Sequence, residues 1–211
     1  MRTIGIFYKV IFVTIVFLLS ACAFPDKPTQ PAYYDLGPAA LTVPVAATAG
    51  RTGLGLPVLV LPDVVAISAL ERPAILYRLL YADAHALRAY TQAQWQAPPA
   101  QLVHQRLKAR LALNHVMLSG AEAAAHNAPV LQIELGSFSQ QFDSPASSQG
   151  LVQLRATVSW ATPQGEKRVV QKGFMAQRPA PSADAAGGVR ALAAATDALL
   201  ADIDQWVQGV R

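Results

Sequence analysis

The chain of 211 residues contains a single cysteine, Cys22, at the end of an apolar run. That run extends from Val10 to Leu19, follows Arg2 and Lys9, and precedes Asp26, the first acidic residue. A basic start, an apolar stretch of about 7–15 residues and small residues before a cut site make an export signal. Such a stretch is shorter than the roughly 20 apolar residues that span a bilayer. Residues 1–21 are therefore expected to be removed. What remains must fold without a disulfide, because a lone thiol has no partner. The 190 residues from Cys22 to Arg211 suffice for one domain with its own core.

Leu19-Ser20-Ala21-Cys22 resembles the lipobox of bacterial lipoproteins. The resemblance implies a diacylglycerol on the thiol, cleavage before the cysteine and acylation of the new amino group. Cys22 then becomes the mature N-terminus and the lipid attachment site. A thiolate is the strong nucleophile such an alkylation needs. The alternative is an ordinary signal peptide beside a chance or buried thiol, and a solitary thiol in an exported chain weighs against it.

Removing the signal takes two basic residues and no acidic ones, leaving 15 against 13, a formal +2. This charge is too mild and too evenly spread to argue for nucleic acid, and no nucleic-acid partner is expected. Only 14% of residues are charged, against roughly 25% in average domains. A surface short of charge fits one that is partly covered, by lipid, partners or copies in a homo-oligomer, and fits equally an alanine-rich composition.

Along the chain, residues 22–32 hold the cysteine and three prolines without apolar periodicity. They read as a tether reaching roughly 30 Å at about 3.1 Å per residue. Residues 33–211 form the domain. Tyr33–Leu36 reads as a short strand ended by Gly37-Pro38, and residues 39–56 as a mobile loop without chemistry. Pro57–Pro62 has strand length. Leu70–Arg78 and His85–Tyr90 read as a hairpin, with His85, Leu87 and Ala89 sharing one strand face. Val103, Leu107 and Leu111 mark an amphipathic helix entered through proline and stopped near Asn114, with a short strand at Val116–Leu118.

Leu131, Ile133 and Leu135, then Val152, Leu154, Ala156, Val158 and Trp160, alternate with polar residues as half-buried strands. Polar Ser144–Gly150 reads as a flexible joint between them. Thr162–Gly165 turns into a third strand, Lys167–Gln177. Ser182–Val210 is the clearest helix, with Ser182 or Asp184 as cap and a stripe from Val189 to Val210. The expected fold is α+β: a small antiparallel sheet with two main helices packed on it, in a single domain.

Four features in order carry a further resemblance: the lipobox with Tyr33-Tyr34-Asp35-Leu36; Leu70-Glu71-Arg72-Pro73-Ala74-Ile75-Leu76-Tyr77-Arg78; Trp95 before Pro98 and a helix; and a long helix ending Ile203-Asp204-Gln205-Trp206-Val207. Together they resemble the ABC-type transport auxiliary lipoproteins, the family that includes paraquat-inducible protein C. Where that family has arginine before the tryptophan, this chain has Gln94. The resemblance implies an α+β domain that works beside an MCE-domain protein, a permease and an ATPase in moving phospholipid between membranes. Ala23, rather than aspartate, follows the cysteine, which by the enteric sorting rule implies the outer membrane. A structural envelope lipoprotein that helps assemble an outer-membrane barrel or polymer-export machine is the alternative function.

No enzyme constellation assembles from the sequence, and no cofactor is expected. His85, His104, His115 and His126 lie 19, 11 and 11 residues apart, unlike any short metal-ligand spacing. There is no nucleophile elbow and no phosphate loop. His104 and His115 read as solvent-facing. Asp202 and Asp204, two apart on a helix, read as a solvated face rather than a carboxylate pair. Trp95, Trp160 and Trp206 read as core or interface anchors.

Overall fold

A computed structural model describes residues 30–38, 57–119, 122, 127–162 and 164–210. The signal, Cys22, the tether up to residue 29, the 39–56 loop and His126 lie outside the described residues.

Among the described residues the first strand is β1 (Ala32–Tyr34), which runs parallel to the end of β5, pairing Ala32 with Ala93 and Tyr34 with Trp95. Leu36 then drops into the core, and Gly37 turns the chain with φ +70°. β2 (Val58–Leu59) lies in the proline-bracketed run and pairs in parallel with β6 (Val116–Met117) as a two-stranded sheet, while the next residue, Val60, bridges to Val130. β3 (Val65–Ala66), a single 3-10 turn at Ser68–Leu70 and the hairpin of β4 (Ala74–Leu79) and β5 (Asp83–Trp95) follow.

The hairpin forms as expected, but its faces do not alternate. Its register slips between Ala74 and Leu76 and again between Tyr77 and Leu79; each time two residues of β4 span five of β5. Extra residues of this kind break a period-two pattern. Ala86 and Leu87 are consequently both half-buried although adjacent, while His85 and Ala89 are exposed.

Helix α1 (Pro99–Leu111) starts with proline at its first position, where the missing N–H costs nothing. Its expected stripe of Val103, Leu107 and Leu111 is fully buried. Then β7 (Val130–Ser144), β8 (Ser147–Ala161) and β9 (Lys167–Pro179) form an antiparallel meander. Leu131, Ile133, Leu135, Val152, Leu154, Ala156 and Val158 all point into the core, as period two requires. The stretch Ser144–Gly150 is not a joint. β7 and β8 continue through it to a tight hairpin, pairing Ser144 with Ser147 and Gln140 with Gly150. Ser148 within it is buried, its Oγ accepting from Gln140 Nε2 at 2.7 Å, and Gln140 in turn accepts from the Tyr90 hydroxyl at 2.9 Å.

Helix α2 (Ala185–Gly209) spans about 38 Å at 1.5 Å per residue. Of the two candidate caps Asp184 serves, accepting from the Gly187 N–H at 2.7 Å. Its stripe packs on β7, β8 and β9, and it also touches α1. Each fully buried Leu or Ile there contributes about 1.5–3 kcal/mol.

The architecture is α+β with two helices packed on a sheet of seven strands, in the order β1-β5-β4-β7-β8-β9 with β3 also beside β7. The sheet is mixed where a small antiparallel one was expected. β1 is parallel to β5, and both β3 and β4 lie parallel to β7, at Glu134–Leu135 and Gln140–Phe142 respectively. Parallel neighbours need a crossover connection, and here β5, α1 and β6 supply it between β4 and β7.

Candidate functional site

Chemistry-bearing side chains are dispersed. His85 is exposed on β5. His104 is half-buried on α1, its Nδ1 without a hydrogen-bond partner, beside a cleft of about 370 Å³ that Asp63, Glu71, Gln101 and Gln105 also line. His115, expected at the surface, is 5% exposed just past α1, its Nδ1 3.3 Å from the Leu111 carbonyl oxygen. Among the described residues no three His, Cys, Asp or Glu side chains come together as a metal set.

Asp202 is exposed as expected, whereas Asp204 is not part of a solvated face. It is 5% exposed and accepts from Asn114 Nδ2 at 3.1 Å and Gln208 Nε2 at 3.0 Å, with Arg110 Nε 3.6 Å away. Helical spacing alone does not show this, because Arg110 and Asn114 come from α1 and the turn after it and only Gln208 lies on α2. Trp95 is buried edge-on to Phe138 at 5.6 Å, and Trp206 meets Phe174 in the same way at 5.6 Å. Trp160 is half-buried against the core.

What remains for function among the described residues is surface. β1 is one edge of the main sheet, where the Gln96 N–H also donates to the Tyr34 carbonyl at 2.7 Å. Asp35 Oδ1 accepts from the Gly37 N–H at 2.7 Å, and Arg106 donates to the carbonyls of Gly37 and Pro38. The segment from β1 to Pro38 is thus held by both the sheet and α1. The opposite edge is β9, five strand intervals away, about 24 Å at 4.8 Å each.

Between the edges the helix-free face carries an open groove of about 400 Å³. Val65 and Ile67 rim it, 64% and 50% exposed, with Gly136 and Gly173 and the Glu134–Arg155 ion pair at 3.4 Å alongside. Among the described residues the arrangement offers docking surfaces.

The family model of the ABC-type transport auxiliary lipoprotein component matches residues 34–204. No curated relative matches the sequence. Among solved structures, a protein from Xanthomonas campestris superposes with a TM-score of 0.61 at 17% identity, covering 73% of this chain and 84% of that one. An uncharacterized protein gives 0.63 at 14% identity, covering 84% and 99%. A hypothetical protein from Chlamydia trachomatis gives 0.51 at 12% identity, covering 74% and 97%. At such identities these structures show a shared fold.

Proposed function

The chain belongs to the ABC-type transport auxiliary lipoprotein family, and we propose that it is a non-enzymatic auxiliary component of an intermembrane phospholipid transport system. In this reading a lipid on Cys22 holds it at the periplasmic face of the outer membrane. Its partners are an MCE-domain protein with a permease and an ATPase. The observation that carries the reading is the family match, which runs from Tyr34 in β1 to Asp204 in α2 and takes in the sheet and both helices. The locked β1 edge supports it, since a tethered module needs a strand that transmits load into the domain.

The test is to purify the C-terminally tagged protein from detergent-solubilised envelopes and identify what accompanies it. An MCE-domain protein with its permease and ATPase is the expected result. A different ABC transporter would leave the auxiliary role and remove the phospholipid reading. An outer-membrane barrel or polymer-export partner would favour the structural-assembly role instead.

A further inference from the structure

β9 runs 13 residues along the edge of the main sheet and pairs only with β8 among the described residues. That pairing keeps one register throughout, from Ala161 opposite Lys167 to Gln149 opposite Pro179, with no bulge. Edge strands are commonly blunted by shortness, bulges or an interior proline, and β9 has none of these before Pro179. The backbone N–H and C=O groups it turns away from β8 therefore form a straight template for another strand.

The side chains along this template are of one sign. Lys167, Arg168, Lys172 and Arg178 accompany no acidic residue, and none of the four pairs with a carboxylate among the described residues. Apolar surface is interleaved: Val169, Val170 and Met175 are 55%, 39% and 63% exposed. Basic residues alone can serve as guards against self-pairing. Guarding does not account for a cleft of about 430 Å³ at one end of the strand, where Trp160, Arg168, Val169 and Val170 meet Gly209 and Val210 at the end of α2.

We propose that β9 receives an extended acidic segment of a partner protein as an added strand, with one apolar side chain of that segment entering the cleft. Main-chain hydrogen bonds give such an addition its affinity, and pockets for alternate side chains give it specificity. Charge complementarity selects the occupant. A strand alternating carboxylates with apolar residues can set its carboxylates along Arg168, Lys172 and Arg178. These three share one face of β9 and pair with no carboxylate among the described residues. A second copy of β9 would instead set cations against cations, which is unfavourable across a strand pair. The inference goes beyond the transport reading and does not depend on it.

The test uses the full chain in detergent micelles and a synthetic peptide of about ten residues alternating glutamate with valine. Two control peptides replace glutamate with lysine, or alternate residues with proline. The acidic peptide should bind saturably, slow hydrogen exchange at β9 amides alone, and weaken as salt rises. The variant carrying Lys167→Glu, Arg168→Glu and Lys172→Glu should bind roughly tenfold more weakly while melting as the parent does, since these exposed charges contribute little to stability. Neither control peptide should bind. Unchanged exchange at β9 with millimolar acidic peptide would overturn the proposal, as would equal binding by the charge-reversed variant. Self-association that protects the same amides without peptide would assign the edge to a second copy and overturn it as well.

Discussion

Arg106 on α1 grips Asp197 on α2, 91 positions further along the chain, through both arms of its guanidinium. Nε donates to Oδ1 at 2.7 Å and Nη2 to Oδ2 at 2.8 Å, while the same group donates to the carbonyls of Gly37 at 2.6 Å and Pro38 at 3.2 Å. Its side chain is 10% exposed, that of Asp197 30%. One residue thus joins both helices to the segment leaving β1. Asp197→Ala should cost about 1–3 kcal/mol, because a mostly buried guanidinium loses its carboxylate. Arg106→Lys should cost nearly as much, since an ammonium cannot reproduce the planar fork. In urea unfolding the double alanine variant should lose less than the two single variants together; strict additivity would mean the pair does not couple the helices.

Two glycines on neighbouring strands should respond oppositely to the same substitution. A Cβ on Gly150 would meet Leu192 N and Ala191 C of α2 at 2.6 and 2.7 Å, backbone atoms that cannot move alone. Gly150→Ala should push α2 off β8 and destabilise by roughly 2–3 kcal/mol. A Cβ on Gly173 would meet nothing within 4 Å. Gly173→Ala should stabilise by about 0.5 kcal/mol by restricting the unfolded chain. A Gly150→Ala variant that melts no lower than the parent would contradict the close helix–strand contact at Gly150.

Asp184 makes the cap of α2 pH-dependent. The hydrogen bond from the Gly187 N–H, then that from the Ser182 hydroxyl, then the charge of Arg190 hold its carboxyl below the usual range. A carboxyl depressed in the fold stabilises it above the unfolded value of about 3.9, and that contribution fades as pH falls through the native value. Asp184→Ala should therefore cost about 1 kcal/mol at neutral pH, with the gap to the parent shrinking in acid. Asp184→Asn should keep most of the cap and lose the pH dependence. Unfolding curves at neutral and acid pH decide it: a gap that stays constant removes the ionised cap from the account.

Tyr90 sets the alkaline limit in the opposite sense. Burial first, then the neighbouring Tyr77 and Asp184, push its phenol from 10.0 up to about 12. Between those values the native state keeps a proton that the unfolded chain releases, so stability falls as pH rises through that window. Tyr90→Phe should flatten this loss. It should also cost about 1–2 kcal/mol at neutral pH, because the buried Gln140 Oε1 loses its donor. An unchanged alkaline slope would show that another group is responsible.

The parts legible in the sequence were those fixed by local periodicity. Leu131, Ile133 and Leu135, and Val103, Leu107 and Leu111, announce their faces because one side is apolar and the other is not. The parallel pairing of Tyr77 with Gln140 carries no such signal, since backbone hydrogen bonds leave no mark on residue type. For a related reason Asp204 does not read as buried. A polar residue is buried when a partner arrives from elsewhere in the chain, and Asn114 lies 90 positions from Asp204. Ser144–Gly150 looked like a joint because Gly150 and the serines are turn formers by composition. Close approach to α2 explains the glycine instead. The edge at β9 was legible as a strand but not as an edge, because strand order is a property of the whole sheet.

Cys22→Ala tests the anchor apart from the fold. Among the described residues the first strand begins at Ala32 and the first buried side chain is Leu36, both well past Cys22 in sequence, so losing the lipid should leave melting unchanged. Each buried methylene of an acyl chain contributes roughly 0.8 kcal/mol to membrane attachment, and two or more chains hold stably where one does not. Without its thiol the chain has no acceptor for the first of them. The variant should therefore move from the outer-membrane fraction to the soluble periplasmic fraction, and the mass of the wild-type N-terminal peptide should carry the added acyl groups. If the variant still fractionates with the outer membrane, attachment runs through protein contacts, and the anchoring reading of Cys22 fails while the folded domain and its edge at β9 stand untouched.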